Sequence, residues 1–250
     1  MARSTTTIDT RDGRCGASVF RPDSGAAPWP AVIVFMDGIG IRPALFEVAE
    51  RIANHGYFAL LPDLFYRGGP YEAMKPAELF GNPEARQAWF QKYVSPLTAE
   101  NLKADVASFL EFLGRQPDVV QPKVGTTGYC LGGRISLAAA GNFPERVAAA
   151  ASYHGGGLVT DAPESPHRLA PRMKARVYVG GAVQDMGFTD DHKRQLEEAL
   201  TEARVEHRVE TYEGARHGWV LSDTPVYDRA AAERHYATLF DLLDSTLRTR

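Results

Sequence analysis

The chain has 250 residues, and its 31 acidic against 28 basic side chains leave a formal net charge of −3. Without a clustered basic excess there is no electrostatic footprint for nucleic acid or an anionic membrane, which leaves a small molecule as the expected partner. With 44% hydrophobic and 24% charged residues the composition also excludes wholesale disorder and fibrous repeats, and the length suits one α/β domain over 1–250.

The opening "MARSTTTIDTRDGRCGASVF" lacks the apolar stretch of a secretory signal, and nowhere do about 18 apolar residues run together to span a membrane, so the cytoplasm is the expected compartment. Cys15 and Cys130 are expected to be free thiols, because a chain with this much core-forming sequence needs no disulfide staple. Strand character then appears in "AVIVFM" at 31–36 and "YFALLP" at 57–62. It returns in "VGTTGY" at 124–129, "VAAAASY" at 147–153, "ARVYVGG" at 175–181 and "HRVETYE" at 207–213. Helical patterns alternate with these runs, at 44–54, 98–114, 133–142, 190–203 and 230–247.

This alternation predicts βαβ units on a mainly parallel sheet flanked by helices on both faces. In 98–114, Leu102, Val106, Phe109, Leu110 and Leu113 form an amphipathic stripe, with Thr98 as a start signal and Gly114 as a stop. The mixed stretch 65–90 lacks continuous periodicity and is read as an excursion over one face, a lid or a pocket wall.

The sequence "KVGTTGYCLGGRISLAAA" runs from a strand through Gly128, Cys130 and Gly132 into a helix. This is the G-x-C-x-G form of a nucleophile elbow, in which flanking glycines let a strained turn pack between strand and helix. The turn lifts the thiol to a helix N-terminus, where backbone N–H groups and the helix dipole favour a thiolate. A buried structural cysteine is the alternative.

An elbow nucleophile needs an acid and a histidine after later strands, in that order. Asp185 follows the strand at 175–181, with Asp190 and Asp191 as rival carboxylates, and His217 follows the strand at 207–213. His217 in reach of Cys130 would move its proton, and Asp185 would hold the imidazole tautomer. His55 falls at a helix end, His192 and His207 read as solvent-facing, and His235 lies in the last helix. His154 in "SYHGGG" is a candidate to line the site, with a structural role as the alternative. No histidine or cysteine pair has zinc-ligand spacing. Asp37, ending a buried strand beside Gly38, is either a site residue or a turn cap.

Across "PAVIVFMDGIGIRPALFEVAERIANHGYFALLPDLFYR", "VGTTGYCLGGR" and "YEGARHGW", the chain resembles the dienelactone hydrolases, an α/β-hydrolase group with a cysteine nucleophile. The resemblance implies the α/β-hydrolase fold, a triad of Cys130, Asp185 and His217, and no cofactor. It also implies an acidic residue, here Asp37, in contact with the thiol and helping to activate it. The elbow arrangement makes the backbone N–H groups of Gly38 and Leu131 the oxyanion donors. The family carries an arginine four places after the catalytic histidine, where this chain has Leu221. Arg86 is either the loose match to a second substrate-binding arginine or a solvated surface residue, and Tyr66, Phe80, Trp89, Phe90 and Trp219 either wall an apolar pocket or simply pack.

The expected reaction is hydrolysis of a small ester or lactone through an acyl-cysteine. A hydrolase-like scaffold that binds a ligand without turnover and a redox-sensing thiol paired with Cys15 are the competing readings. The sequence does not choose between a monomer and a homodimer.

Overall fold

The computed structural model of the protein describes residues 2–248, without the side chains of Ala2 and Phe80, so that candidate pocket wall lies outside the described side chains. Eight strands form one sheet: β1 (Ala2–Thr10), β2 (Gly13–Arg21), β3 (Trp29–Phe35), β4 (Phe58–Pro62), β5 (Val119–Tyr129), β6 (Val147–Tyr153), β7 (Arg176–Gly181) and β8 (His207–Thr211). Their spatial order is β1-β2-β4-β3-β5-β6-β7-β8. From β4 to β8 every neighbouring pair is parallel, while β1 and β2 form an antiparallel hairpin that joins β4 at one edge.

The helices are α1 (Pro43–Asn54), α2 (Pro76–Gly81), α3 (Pro83–Trp89), α4 (Ala99–Gly114), α5 (Leu131–Asn142), α6 (Pro166–Leu169), α7 (Asp190–Glu202) and α8 (Arg229–Leu247). The connection β3-α1-β4 steps one way along the sheet and β4-α4-β5 steps back the other way. Right-handed crossovers therefore put α1 and α4 on opposite faces. α8 joins α1, tied by an Arg51–Glu233 ion pair, a His55–Asp244 contact of 2.9 Å and stacking of His55 on Phe240 at 3.8 Å. α4, α5, α6 and α7 pack in succession on the other face.

The α/β sandwich buries β4 and β6 throughout and β3 from Ala31 to Phe35, which is why these strands read as unbroken apolar runs rather than as alternations. The N-terminal hairpin was not anticipated. β1 is threonine-rich and polar at the sheet edge, and only Ile8 of β1 and part of β2, including Cys15, Val19 and Phe20, reach the core.

The direction of chain progression reverses at β3, with β4 on one side and β5 on the other. In open α/β sheets the crevice beyond the carboxyl ends of such a strand pair is where sites form. Here it receives the turn after β3 and the turn after β5.

Residues 65–90 contain a single 3-10 turn, α2 and α3, followed by a π-helical turn at Phe90–Val94. Phe65, Tyr71, Trp89 and Tyr93 pack ring on ring with centroids 4.6–5.9 Å apart. Tyr71 also accepts the Ile41 N–H at 2.9 Å and donates to Asp63 at 2.9 Å. Aromatic spacing without helical periodicity thus encodes a packed ring cluster.

Candidate active site

Cys130 is the N-cap of α5, with φ 54° and ψ −115°. A non-glycine residue in the left-handed region costs on the order of 1–3 kcal/mol and persists only where its surroundings over-determine it. Those surroundings are the glycines. A Cβ on Gly128 would strike the backbone of Gly132, and one on Gly132 would strike the carbonyl of Phe35 at the end of β3. Gly133 is likewise pressed against Ser152 of β6. The elbow is wedged between β3 and β6, and Cys130 stays partly exposed at its tip.

The structure brings Asp185 and His217 together above the same sheet edge. Asp185 Oδ2 lies 2.7 Å from His217 Nδ1, and its Oδ1 accepts the Gly187 N–H at 2.8 Å. Both carboxylate oxygens are therefore committed. Asp190 and Asp191 instead sit at the start of α7 and pair with Lys193 and Arg194.

Burial opposes protonation of His217, but hydrogen bonds to Asp185 and Cys130, together with their charges, outweigh it and push its pKa up to about 10. Burial also works against ionisation of Asp185, yet His217, the Gly187 N–H and Lys193 hold its carboxyl below the ordinary value. The imidazole thus bridges the elbow thiol and a fixed carboxylate, as a nucleophile, base and orienting acid require.

Backbone strain collects at this place. Besides Cys130, the non-glycine residues of positive φ among those described are His154, Gln184 and Arg204, and two of these flank the site: Gln184 precedes Asp185, and His154 directly follows β6 and opens its turn. His154 is buried, its ring 5.1 Å from that of His217 and 4.9 Å from that of Trp219. Burial first, and the neighbouring His217 and His235 next, keep it neutral with a pKa well below the usual histidine range. It backs the His217 imidazole and, being buried, presents no open face.

The turn after β3 is held by a residue that sequence reasoning missed. Arg42 is buried and directs Nη1 and Nη2 to the two oxygens of Asp37 at 2.8 and 2.9 Å, while its Nε meets Asp223 at 2.6 Å. Asp37 also accepts the Ile39 N–H at 3.0 Å. The sequence leaves Asp37 as either a residue that touches and activates the thiol or a cap of its turn, and the Ile39 contact is that of a turn cap. Its oxygens are instead spent on Arg42 and on the turn, which makes it an anchor for the Gly38 loop. Trp89, a predicted pocket residue, donates its indole N–H to the Gly38 carbonyl at 3.0 Å and fixes that loop from the aromatic wall.

Other candidates for the pocket lie elsewhere. Trp219 is fully buried against Tyr212, with ring centroids 4.8 Å apart, and Leu221 is 1% exposed. Both belong to the core beneath the His217 loop because that loop folds back under α8, with the Asp228 N–H donating to the Trp219 carbonyl at 3.1 Å. Arg86 stands on the exposed face of α3. Phe90 is 38% exposed, and its ring is 3.7 Å from the place a Gly38 Cβ would take, so it sits at the rim of the Gly38 turn. Tyr66 is bound to Thr10 and Asp105, away from that turn. His192 and His207, expected to face solvent, are half-buried.

The sequence profile of the dienelactone hydrolase family matches residues 15–247 of the chain. The protein belongs to the dienelactone hydrolase family. Carboxymethylenebutenolidase of Pseudomonas putida is 29% identical over 90% of this chain and 89% of its own. Among solved structures, a candidate dienelactone hydrolase of Klebsiella pneumoniae superposes with a TM-score of 0.83 at 22% identity, covering 96% of this chain and 97% of that one. A dienelactone hydrolase-like promiscuous phosphotriesterase from metagenomic libraries gives 0.77 at 23% identity, covering 98% and 99%. These two likenesses bear on the α/β-hydrolase fold, which this member of the dienelactone hydrolase family shares across its whole sheet.

Proposed function

We propose that the protein hydrolyses an ester or lactone bond of a small molecule, with Cys130 as nucleophile, His217 as proton carrier and Asp185 as the group that orients and charges His217. The observation that carries this reading is the 2.7 Å Asp185–His217 contact beside a thiol held at positive φ on the tip of α5. Membership of the dienelactone hydrolase family supports the reaction class, and the Pseudomonas putida relative carries the name of a lactone hydrolase.

The reaction starts with the Cys130 thiolate attacking the carbonyl carbon. The oxyanion so formed is held by the backbone N–H groups of Gly38 and Leu131, the first steadied by Trp89 and the Asp37–Arg42 pair, the second at the start of α5. Collapse breaks the ester C–O bond, and the departing alkoxide takes the proton of the His217 imidazolium. A water molecule then attacks the acyl-thioester as His217 takes one of its protons. Expulsion of the thiolate releases the acid and restores the starting pair.

Residues 65–90 form one wall of the site and belong to the same α/β-hydrolase unit as the rest of the chain; their packed aromatic cluster and the bond from Trp89 to Gly38 support a fixed wall over a mobile lid. Two unpaired cysteines fit a reducing compartment, the cytoplasm. A redox pair is disfavoured because Cys15 is fully buried in β2, with its thiol near the carbonyl of Asp63.

The test is a panel of p-nitrophenyl esters and simple lactones given to wild type and Cys130→Ala under reducing conditions. Thiol-dependent turnover supports the reading, and equal rates in the two proteins refute it. A folded wild type that turns over none of the panel favours a binding scaffold.

A further inference from the structure

His154 carries two local costs that neither its turn nor its packing explains alone. Its φ of 40° lies in the left-handed region, which glycine adopts freely and which asparagine, aspartate and histidine tolerate better than other side chains. Neither of its ring nitrogens meets a hydrogen-bond partner among the described residues, although the residue is only 1% exposed. A glycine would relieve the backbone, and a phenylalanine would leave no buried nitrogen unpaired. A position that keeps both costs is expected to have a task beyond the fold.

The backbone before the ring is tied on two sides. The Tyr153 carbonyl accepts the Cys130 N–H at 3.2 Å, and the N–H of the same peptide unit, that of His154, donates to the Gly180 carbonyl at 2.8 Å. One peptide therefore joins the elbow to β7, the strand that leads to Asp185. The ring then meets the remaining member of the site, its centroid 5.1 Å from that of His217 at an interplanar angle of 60°. Trp219 at 4.9 Å and Tyr129 at 6.0 Å complete its aromatic surroundings. Trp219 is itself fully buried and stacked on Tyr212, so the ring of His154 has a firm backing.

His217 has use for such a support. Asp185 holds its Nδ1, but one hydrogen bond fixes one atom and leaves the ring free to pivot about it. The nitrogen on the far side of the ring, the one that serves Cys130, is displaced most by a pivot. The His217 side chain is 36% exposed, so its plane is confined from the buried side. Edge-to-face contact with a second ring supplies that confinement. Burial keeps His154 neutral, and it lies against a His217 imidazolium without like-charge repulsion. The residue type follows from both demands: the turn asks for tolerance of positive φ and the support asks for an aromatic ring, and histidine meets the two together.

We infer that His154 is a positioning residue whose ring, carried on a peptide bonded to both Cys130 and β7, holds the plane of His217 so that its second nitrogen faces the thiol. The inference rests on the hydrolase reading for its effect on turnover, whereas its effect on the reactivity of the thiol needs no substrate.

Two substitutions separate the demands. His154→Asn keeps a residue that accepts positive φ and removes the ring, and His154→Phe keeps a ring at greater backbone cost. Both are expected to lower Tm, so rates are compared at a temperature where circular dichroism shows every protein folded. For p-nitrophenyl butyrate, kcat is expected to fall about a hundredfold in His154→Asn with KM changed less than about threefold, because a misplaced group costs rate and not binding. His154→Phe is expected to recover all but about fivefold of that loss.

Alkylation of Cys130 by iodoacetamide in the native protein at neutral pH is expected to slow about tenfold in His154→Asn, as the thiolate loses its imidazolium partner. His154→Phe is expected to react nearly as wild type does. A folded His154→Asn with the wild-type kcat and alkylation rate overturns the inference, and so does a folded His154→Phe as impaired as His154→Asn. Alkylation that is slowed in His154→Asn and kept in His154→Phe, in a protein that cleaves no ester, supports the positioning role and refutes the hydrolase reading.

Discussion

Arg42 grips Asp37 with both terminal nitrogens, at 2.8 and 2.9 Å, while its Nε reaches Asp223 on the far side at 2.6 Å. The two carboxylates come from different parts of the chain, one from the turn after β3 and one from the loop that carries His217. A single buried guanidinium thus clamps the Gly38 turn to the loop that carries His217. The planar fork of arginine suits this double task, and a lysine point charge does not.

Arg42→Met leaves Asp37 as an uncompensated carboxylate in a site that is 4% exposed. Breaking a buried pair from one side costs about 3–5 kcal/mol, and urea denaturation is expected to show a loss of that order. Arg42→Lys is expected to recover less than half of it. Replacing Asp37 and Arg42 together by Leu and Met is expected to cost less than Arg42→Met alone, because no orphaned charge remains.

His217 gives the protein a particular dependence on pH. Its folded pKa of about 10 lies above the unfolded value of about 6.5, so its contribution to stability is full below about pH 6.5. It is lost as pH rises towards and through 10. The expected stability curve declines across that window, and Asp185→Asn flattens the decline. NMR titration of the His217 ring is the direct check, with the midpoint falling in both Asp185→Asn and Cys130→Ala, since each removes a hydrogen bond and a charge that raise it.

The two cysteines are expected to differ sharply towards alkylating agents. Cys15 is fully buried, and burial first, with the charges of Asp63 and Asp105 next, raises its pKa well above the ordinary thiol value. Cys130 is partly exposed at a helix N-terminus beside His217. Peptide mapping after brief iodoacetamide treatment is expected to find label on Cys130 alone, with Cys15 modified only once the protein is unfolded. Equal labelling in the native protein would contradict the placement of Cys15.

The parallel half of the sheet was legible because a strand buried on both faces must be apolar along its whole length, and "AVIVF" and "VAAAASY" have that property. The β1-β2 hairpin was hidden because in "RSTTTIDT", at the sheet edge, Ile8 alone is buried, so no alternation builds up. Cys130 was legible because its backbone conformation demands glycines at fixed offsets. Asp185 and His217 were legible because strand ends collect site residues, and their 2.7 Å contact spans a separation of only 32 residues.

Arg42 had no such signal. Its partner Asp223 is 181 residues away, and a lone arginine in "GIGIRP" resembles any surface cation. For Trp219 and Leu221 the sequence left pocket and core open for the converse reason: nearness to His217 along the chain does not tell which side of the loop faces the core, and both are buried.

The most direct measurement is mass spectrometry of the enzyme acid-quenched during turnover of p-nitrophenyl acetate. The account predicts a single acetyl group on the peptide that contains Cys130, cleaved by hydroxylamine as a thioester is, and absent from Cys130→Ala. An acetyl group on another residue, or undiminished turnover in Cys130→Ala, would contradict it.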